Sequence, residues 1–221
     1  YYSIGRRKQY FGFKLMGSNY FMKSKDFQIL ENLKDHTDVP DEKRPIIFVL
    51  HMEHHSNQTS WFETIAKVII IPSNSDGLPC LKSLEDLLEI YKNIPIKLAA
   101  VTGCSNVTGI KTNYYDIARI MHKNNGLCFV DFACSAPYVN IDMHPADEEQ
   151  YLDAITFSSH KFLGGPGTSG VLILNKKLYK NLVPYNPEGG TVSYTNQWGN
   201  HDFIDEIETR EDELQQVYRN F

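Results

Sequence analysis

From about residue 46 onward, apolar residues follow two different periods along the chain. Short continuous runs of β-branched and aromatic residues, such as Ile46–Leu50, are typical of strands buried on both faces. Between these runs, apolar residues recur at helical spacing, as at Leu84, Leu87, Leu88 and Tyr91, which predicts a helix with one buried face. The pattern therefore predicts strands that alternate with helices.

Alternation of this kind predicts βαβ units and an α/β fold with a mainly parallel sheet. Ser83 is predicted to cap the second helix, and Gly126 is predicted to be the glycine that ends the third. The predicted strands are Ile46–Leu50, 68–71, 98–101, 127–130, 154–157 and Gly170–Leu174. The predicted helices are 59–66, 83 to about 94, 112 or 113 to 125, and a short one near 176–182.

Composition and charge exclude several classes of function. The chain has 221 residues and a net charge of −5, which argues against nucleic acid as the main partner. No apolar run approaches the roughly 20 residues that a membrane-spanning helix needs, so no membrane association is expected. The four cysteines are not spaced as CxxC, and we expect reduced thiols and a cytoplasmic protein; they are Cys80, Cys104, Cys128 and Cys134.

Polar residues follow four of the predicted strands, at 53–57, 105–106, 131 and 158–161. Ligands of parallel sheets bind at the carboxyl ends of the strands, so these side chains are expected to converge. Together they supply a lysine, a carboxylate, imidazoles and hydroxyls beside glycines. Pyridoxal phosphate (PLP) needs such groups: an amine for its aldehyde, a carboxylate for its pyridine nitrogen and donors for its phosphate.

Two other interpretations of these residues are weaker. His51, Glu53, His54 and His55 could suggest zinc, but neither H-E-x-x-H nor H-x-x-E-H is present, and no metal site is predicted. The stretch 165–170 fits G-x-G-x-x-G formally. It precedes a strand instead of joining a strand to a helix, so a nucleotide-binding oxidoreductase is disfavoured.

Four segments resemble the class V aminotransferase family, which includes the cysteine desulfurases. The segment S-S-H-K-F-L-G-G-P-G-T-S-G-V-L-I resembles the family's lysine motif, and M-E-H-H-S-N-Q-T-S-W resembles its E-H-H block. C-S-N-V-T-G and F-V-D-F-A are similar to its S-N-x-x-G and V-D-x-A blocks. The order of the segments also matches, and the resemblance covers about residues 45–210.

The resemblance implies a PLP site and a role for each of six residues in it. Lys161 would form the Schiff base and move protons, Asp131 would pair with the pyridinium nitrogen, and His54 would stack on the ring. Ser158 and His160 would contact the phosphate, and Asn106 would lie near the ring hydroxyl or the substrate carboxylate. Cys104 and Cys134 lie nearby in sequence and are expected to be small buried thiols.

The resemblance also implies the three-layer α/β/α large domain of PLP-dependent transferases. We expect three parts: a poorly defined segment 1–45, a PLP-binding core 46–200 and an acidic tail 201–221. Cys134 stands where desulfurases usually have glutamine, and no G-T-P follows I-E-T-R-E. The upstream phosphate loop and the small C-terminal domain are expected to be absent.

The function implied is that of a PLP-dependent enzyme acting on an amino acid, as a transaminase, lyase or desulfurase. A homodimer is expected, because sites of this fold type lie between two subunits. The alternative is a non-catalytic fragment or pseudo-enzyme that keeps the PLP-binding fold.

Overall fold

The computed structural model describes residues 39–184, 187 and 189–211. Contacts within the chain divide it into two compact units, residues 1–178 and 179–221. Most of the predicted N-terminal segment 1–45 lies outside the described residues.

The first unit contains a sheet of six strands in the order β2-β1-β3-β4-β5-β6. The first five strands are parallel and β6 runs antiparallel to β5, which confirms the prediction of a mainly parallel sheet. The strands are β1 Ile46–Leu50, β2 Lys67–Ile71, β3 Lys97–Thr102, β4 Leu127–Asp131, β5 Ala154–Ser158 and β6 Gly170–Leu174.

Three helices of this unit follow β1, β2 and β3, as α1 His55–Phe62, α2 Leu81–Ile90 and α3 Tyr114–Lys123. Helix α1 begins four residues earlier than predicted, because the ring nitrogen Nδ1 of His54 accepts a hydrogen bond from the Ser56 amide and caps the helix. Histidine is not among the usual capping residues, so the sequence pattern did not predict this start of the helix. No described helix is long and apolar enough to cross a membrane.

Two predicted helix ends are also corrected. Helix α2 starts after Cys80, so Ser83 lies inside its first turn and is not its cap. Beyond α3, the left-handed residue is Asn125, with φ 55°, and not Gly126. A Cβ on Gly126 would lie 2.5 Å from the Met121 side chain, so this glycine allows close packing.

Successive residues of a strand point to opposite faces, and this separates two apolar cores. Phe48 of β1 packs in the larger core with Leu84 of α2 and Ile117 of α3. Val49, the next residue, packs on the opposite face with Trp61 of α1. Helices therefore cover both faces of the sheet, which confirms the predicted three-layer α/β architecture, and burial of each large side chain contributes about 2 kcal/mol.

The second unit contains an antiparallel hairpin, β7 Val192–Thr195 and β8 His201–Phe203, and a short helix, α4 Ile207–Glu211. Tyr179 donates a hydrogen bond to the Glu211 carboxylate. The predicted boundary at residue 200 falls in the turn of the hairpin, and the division into a core 46–200 and a tail stays a prediction. The short helix predicted near 176–182 is a single 3-10 turn, Lys176–Leu178, in the first unit.

A half-buried histidine fixes the long connection between β4 and β5. The Nε2 of His122 lies 2.9 Å from the Asp153 carboxylate, and its Nδ1 lies 2.7 Å from the Glu149 carbonyl oxygen. The ring stacks on Tyr151 at 3.8 Å. Both neighbours are acceptors, so the imidazolium, which donates from both nitrogens, suits the site best. Burial opposes the charge, but the Asp153 and Glu149 contacts outweigh it and raise the pKa of His122.

His122→Ala should destabilise the protein by about 3 kcal/mol, because it leaves the buried Asp153 without its cationic partner. A raised histidine pKa contributes stability that is fully present below the unfolded-state value of about 6.5 and is lost as pH rises through the folded-state value. Urea denaturation should therefore show a larger difference between wild type and variant at about pH 6 than at about pH 9.

Lys123→Ala is the matched control, because Lys123 pairs with Glu149 at 3.2 Å on the exposed side of the same connection. Its loss should cost less than about 1 kcal/mol. If the His122→Ala difference stayed constant with pH, the protonated form would have no part in holding the connection.

Candidate active site

The site is an edge of the sheet, where the loops after β1, β3, β4 and β5 begin. These four strands are parallel, so their carboxyl ends lie together. Thr102, the last residue of β3, is in register with Asp131, the last residue of β4. The loops that carry the predicted site residues therefore leave the sheet side by side.

Asp131 supplies a carboxylate held in one orientation. Its side chain is buried, with 6% of the residue exposed, and Oδ1 accepts hydrogen bonds from the Thr156 hydroxyl at 3.1 Å and from the Ala133 amide at 3.0 Å. Its backbone carbonyl accepts the Gly103 amide at 2.9 Å. These bonds anchor the carboxylate to the strand on one side and to the β3 loop on the other.

Lys161 lies at the end of a 3-10 turn, Ser159–Lys161, directly after β5, and its side chain is exposed. The chain then folds back on itself: a Cβ on Gly165 would lie 2.0 Å from the Ser159 carbonyl oxygen. Only glycine allows this approach, which fixes the turn. Asp131 ends β4 and Lys161 follows β5, its parallel neighbour, so the carboxylate and the lysine stand at the same edge of the sheet.

His54, at the start of α1, is half-buried, and its Nδ1 lies 2.8 Å from the Ser56 hydroxyl and accepts the Ser56 amide at 3.2 Å. Since Nδ1 accepts that bond, the neutral ring carries its proton on Nε2. At the end of β5, Ser158 is buried and His160 is half-buried.

Asn106 lies in the tight turn that follows β3. The Ser105 hydroxyl accepts the amides of Val107 at 3.3 Å and Thr108 at 3.2 Å, which closes the turn. Asn106 is exposed at the tip. The turn thus presents Asn106 at the surface, whereas Asp131 is buried at the end of β4.

Glu53 is a residue of the site for which the sequence suggested no role. Its carboxylate accepts the amides of Leu50 at 3.3 Å and Thr102 at 2.7 Å, and the side-chain amide of Asn57 at 2.6 Å. It therefore ties the ends of β1 and β3 to the start of α1, next to His54. Its place in the polar cluster 53–57 was the available signal, but its partners are distant in sequence.

The surroundings of Glu53 change the pKa of its carboxyl group. Burial raises the pKa of Glu53 to about 7; hydrogen bonds from Asn57 and Thr102 oppose this shift, and the negative charge of Asp131 adds to it. Glu53 therefore changes its charge near neutral pH while it holds two strand ends.

A small cavity of about 30 Å³ lies behind Asp131, lined in part by Asn57, Trp61 and Thr156. Such a volume suits a water molecule and is too small for an organic cofactor. An organic cofactor would therefore have to contact Asp131 from the side of the loops and not from this cavity.

Within residues 39–211, as far as the structure describes them, no three His, Cys, Asp or Glu side chains group as metal ligands. Glu53, one member of the sequence cluster considered for zinc, instead accepts hydrogen bonds from backbone and amide groups.

Solved structures that share this fold include cysteine desulfurases. The fold matches the apo cysteine desulfurase of Thermococcus onnurineus NA1 with a TM-score of 0.62 and 19% identity, over 94% of this chain and 51% of that one. It matches a cysteine desulfurase of Escherichia coli with a TM-score of 0.57 and 24% identity, over 90% and 50%. The architecture is therefore that of the PLP-dependent cysteine desulfurase fold.

The sequence shows the family directly. Residues 27–209 match the family Aminotransferase class-V, and the chain belongs to that family. A probable cysteine desulfurase of Halalkalibacterium halodurans is 30% identical over 67% of this chain and 35% of its own length. One of Aeropyrum pernix is 32% identical over 66% and 34%. The chain thus aligns with about a third of the length of these relatives.

Glu53→Gln should change how stability depends on pH. A carboxyl whose folded-state pKa is raised holds its proton in the folded protein while the unfolded chain releases it, so wild-type stability falls as pH rises from about 4.5 to about 7. The glutamine variant lacks this loss. The free energy of unfolding of wild type, minus that of the variant, should fall by roughly 3 kcal/mol across this window.

Urea titrations at a series of pH values measure this difference. Asp86→Asn is the control, because Asp86 is an exposed carboxylate on α2, 3.0 Å from Lys82. Its difference from wild type should stay small throughout. Parallel pH curves for wild type and Glu53→Gln would show that Glu53 titrates normally in the folded protein.

Proposed function

We propose that this chain forms the cofactor-binding part of a PLP-dependent enzyme that acts on an amino acid, with Lys161 as the residue that bonds the cofactor. The observation that supports the proposal is that Asp131 ends β4 and Lys161 follows β5, two neighbouring parallel strands, so both stand at the carboxyl edge of the sheet. An amine and an anchored carboxylate are the two groups that a pyridoxal ring needs for its aldehyde and its nitrogen. Membership of the class-V family supports the same conclusion.

The residues present fit this cofactor. Asp131 is buried and its Oδ1 is anchored by Thr156 and Ala133, so it can hold a proton on a pyridine nitrogen without moving. Lys161 is exposed and can reach an aldehyde in the loop region. When bound, the cofactor supplies an electron sink for carbanions formed at the amino-acid substrate.

The remaining residues bind and orient. His54 is held by Ser56 at the start of α1, so its ring can cover one face of a flat ligand. Ser158 and His160, at the end of β5, are the residues proposed to donate to a phosphate. Asn106, exposed on the turn after β3, is the residue proposed to reach the ring hydroxyl or the substrate carboxylate.

In the reaction, Lys161 is also the proposed proton carrier. Its amine would take a proton from the substrate α-carbon and return it to the substrate, as general acid–base catalysis requires. Cysteine is the first substrate to test, because the relatives are named as cysteine desulfurases. We further propose that the complete protein is a homodimer and that it acts in the cytoplasm, where its four free cysteines would stay reduced.

The deciding experiment is a visible absorbance spectrum of the protein with PLP, before and after borohydride, for wild type and Lys161→Ala. Wild type should be yellow, and borohydride should fix the cofactor on the peptide that contains Lys161. The variant should show neither the band nor the label, because no other predicted site residue offers an amine.

Lys177→Ala serves as the matched control, because Lys177 is an exposed lysine on the 3-10 turn after β6. It should behave as wild type. Asp131→Asn should bind PLP at least about ten times more weakly, since the loss of one charged hydrogen bond of about 1.5 kcal/mol gives this factor. Equal spectra for wild type and Lys161→Ala would overturn the proposal.

A further inference from the structure

Two cysteines from different loops meet beside the site. Cys104 lies two residues beyond the end of β3, and Cys134 lies three residues beyond the end of β4. Because Thr102 and Asp131 pair in register, the two loops start next to each other. The Cys134 sulfur lies 3.0 Å from the carbonyl oxygen of Cys104, so the two cysteines are in direct contact.

The surroundings of this pair differ from those of the other cysteines. Cys104 and Cys134 are both half-buried, which corrects the expectation of buried thiols, whereas Cys128 in β4 is fully buried as expected. Burial and the charge of Asp153 raise the pKa of the Cys128 thiol, so it stays protonated. Cys80 lies in front of α2, after a different strand. Of the four cysteines, only these two combine partial exposure with a contact to another cysteine.

We propose that Cys104 and Cys134 form an oxidisable dithiol, a modification site that a hydroperoxide converts to a disulfide within the chain. Nothing in the PLP chemistry proposed above uses either thiol. The argument rests on the contact of the Cys134 sulfur with Cys104 and on the access of both thiols to solvent, and it does not depend on the proposed function.

Cys104 is the thiol that reacts first. Its sulfur contacts the Gly109 carbonyl oxygen at 3.2 Å in an exposed position. Burial, followed by the neighbouring Cys104 thiol, raises the pKa of Cys134, with a smaller opposing effect from Lys161. Cys134 therefore stays a thiol and attacks second.

The chemistry balances with a hydroperoxide as oxidant. The Cys104 thiolate attacks the O–O bond; an S–O bond forms, the O–O bond breaks, and the departing oxygen takes the thiol proton and leaves as water or alcohol. The Cys134 sulfur then attacks the sulfenic sulfur; the S–S bond forms, the S–O bond breaks, and hydroxide takes the second thiol proton and leaves as water. Two thiols are oxidised by two electrons, and one peroxide is reduced.

Disulfide formation changes the turn after β3. The bond removes the contacts of the Cys134 sulfur with the Cys104 carbonyl and of the Cys104 sulfur with the Gly109 carbonyl. Residues 105–109, which present Asn106, must then readjust. If the proposed function is correct, oxidation also weakens PLP binding; this consequence rests on that function, but the disulfide itself does not.

The test treats the 221-residue chain, without PLP, with a small excess of hydrogen peroxide and then maps its peptides by mass spectrometry. One linked pair of peptides should appear, containing Cys104 and Cys134 and lighter by two hydrogen atoms, and dithiothreitol should release it. The thiol count in denaturant should fall from four to two, because one disulfide uses two thiols.

Cys104→Ser and Cys134→Ser should each abolish the linked peptide, and Cys80→Ser should leave it unchanged. Phenylarsine oxide, which bridges neighbouring thiols, offers a second measurement on the unaltered protein. It should bind once per chain, and peroxide should prevent that binding. Oxidation of Cys104 to sulfinic acid without a linked peptide, or a link to Cys80 instead, would overturn the proposal.

Discussion

The parallel pairing of neighbouring strands is the constraint on which the rest of this structure depends. Parallel strands place all their carboxyl ends at one edge, so residues far apart in sequence meet there without any specific attraction between them. His54 and Asp131 follow different strands, yet their loops begin side by side. Side chains also tie these loops together, because the amides of Leu50 and Thr102 donate to the Glu53 carboxylate.

Glu53 forms the main connection between these loops, and its burial there explains why its pKa is raised. A buried carboxylate that accepts the Leu50 and Thr102 amides satisfies two strand ends at once. The same burial, beside the charge of Asp131, disfavours the ionised form. The site thus keeps one carboxylate, Asp131, anchored by a hydroxyl and an amide, and another that releases its proton only near neutral pH. The different surroundings of the two carboxyl groups thus leave Asp131 facing the site and Glu53 joining two strand ends.

Most strands could be predicted because buried parallel strands consist of continuous apolar runs. Ile46–Leu50 is an example, since every one of its residues is buried. Helix ends were less predictable, since they depend on single hydrogen bonds such as the cap formed by His54. The loop residues of the site could be proposed from their position after the strands and from the family resemblance. The partners of Glu53, and the contact of Cys104 with Cys134, could not, because both join residues that only the folded sheet brings together.

Two ionisable side chains, those of Glu53 and Cys134, contact the loop after β3 from opposite sides. Glu53 holds the end of β3 from the β1 side, and Cys134 contacts the residue two places further on from the β4 side. Only Gly103 separates Thr102, bound by Glu53, from Cys104, bound by Cys134. The ionisation of Glu53 and a bond formed by Cys104 therefore act on the same short segment. Because that segment leads directly into the turn that carries Asn106, the charge state of one carboxyl and the redox state of one thiol both bear on how the turn is presented.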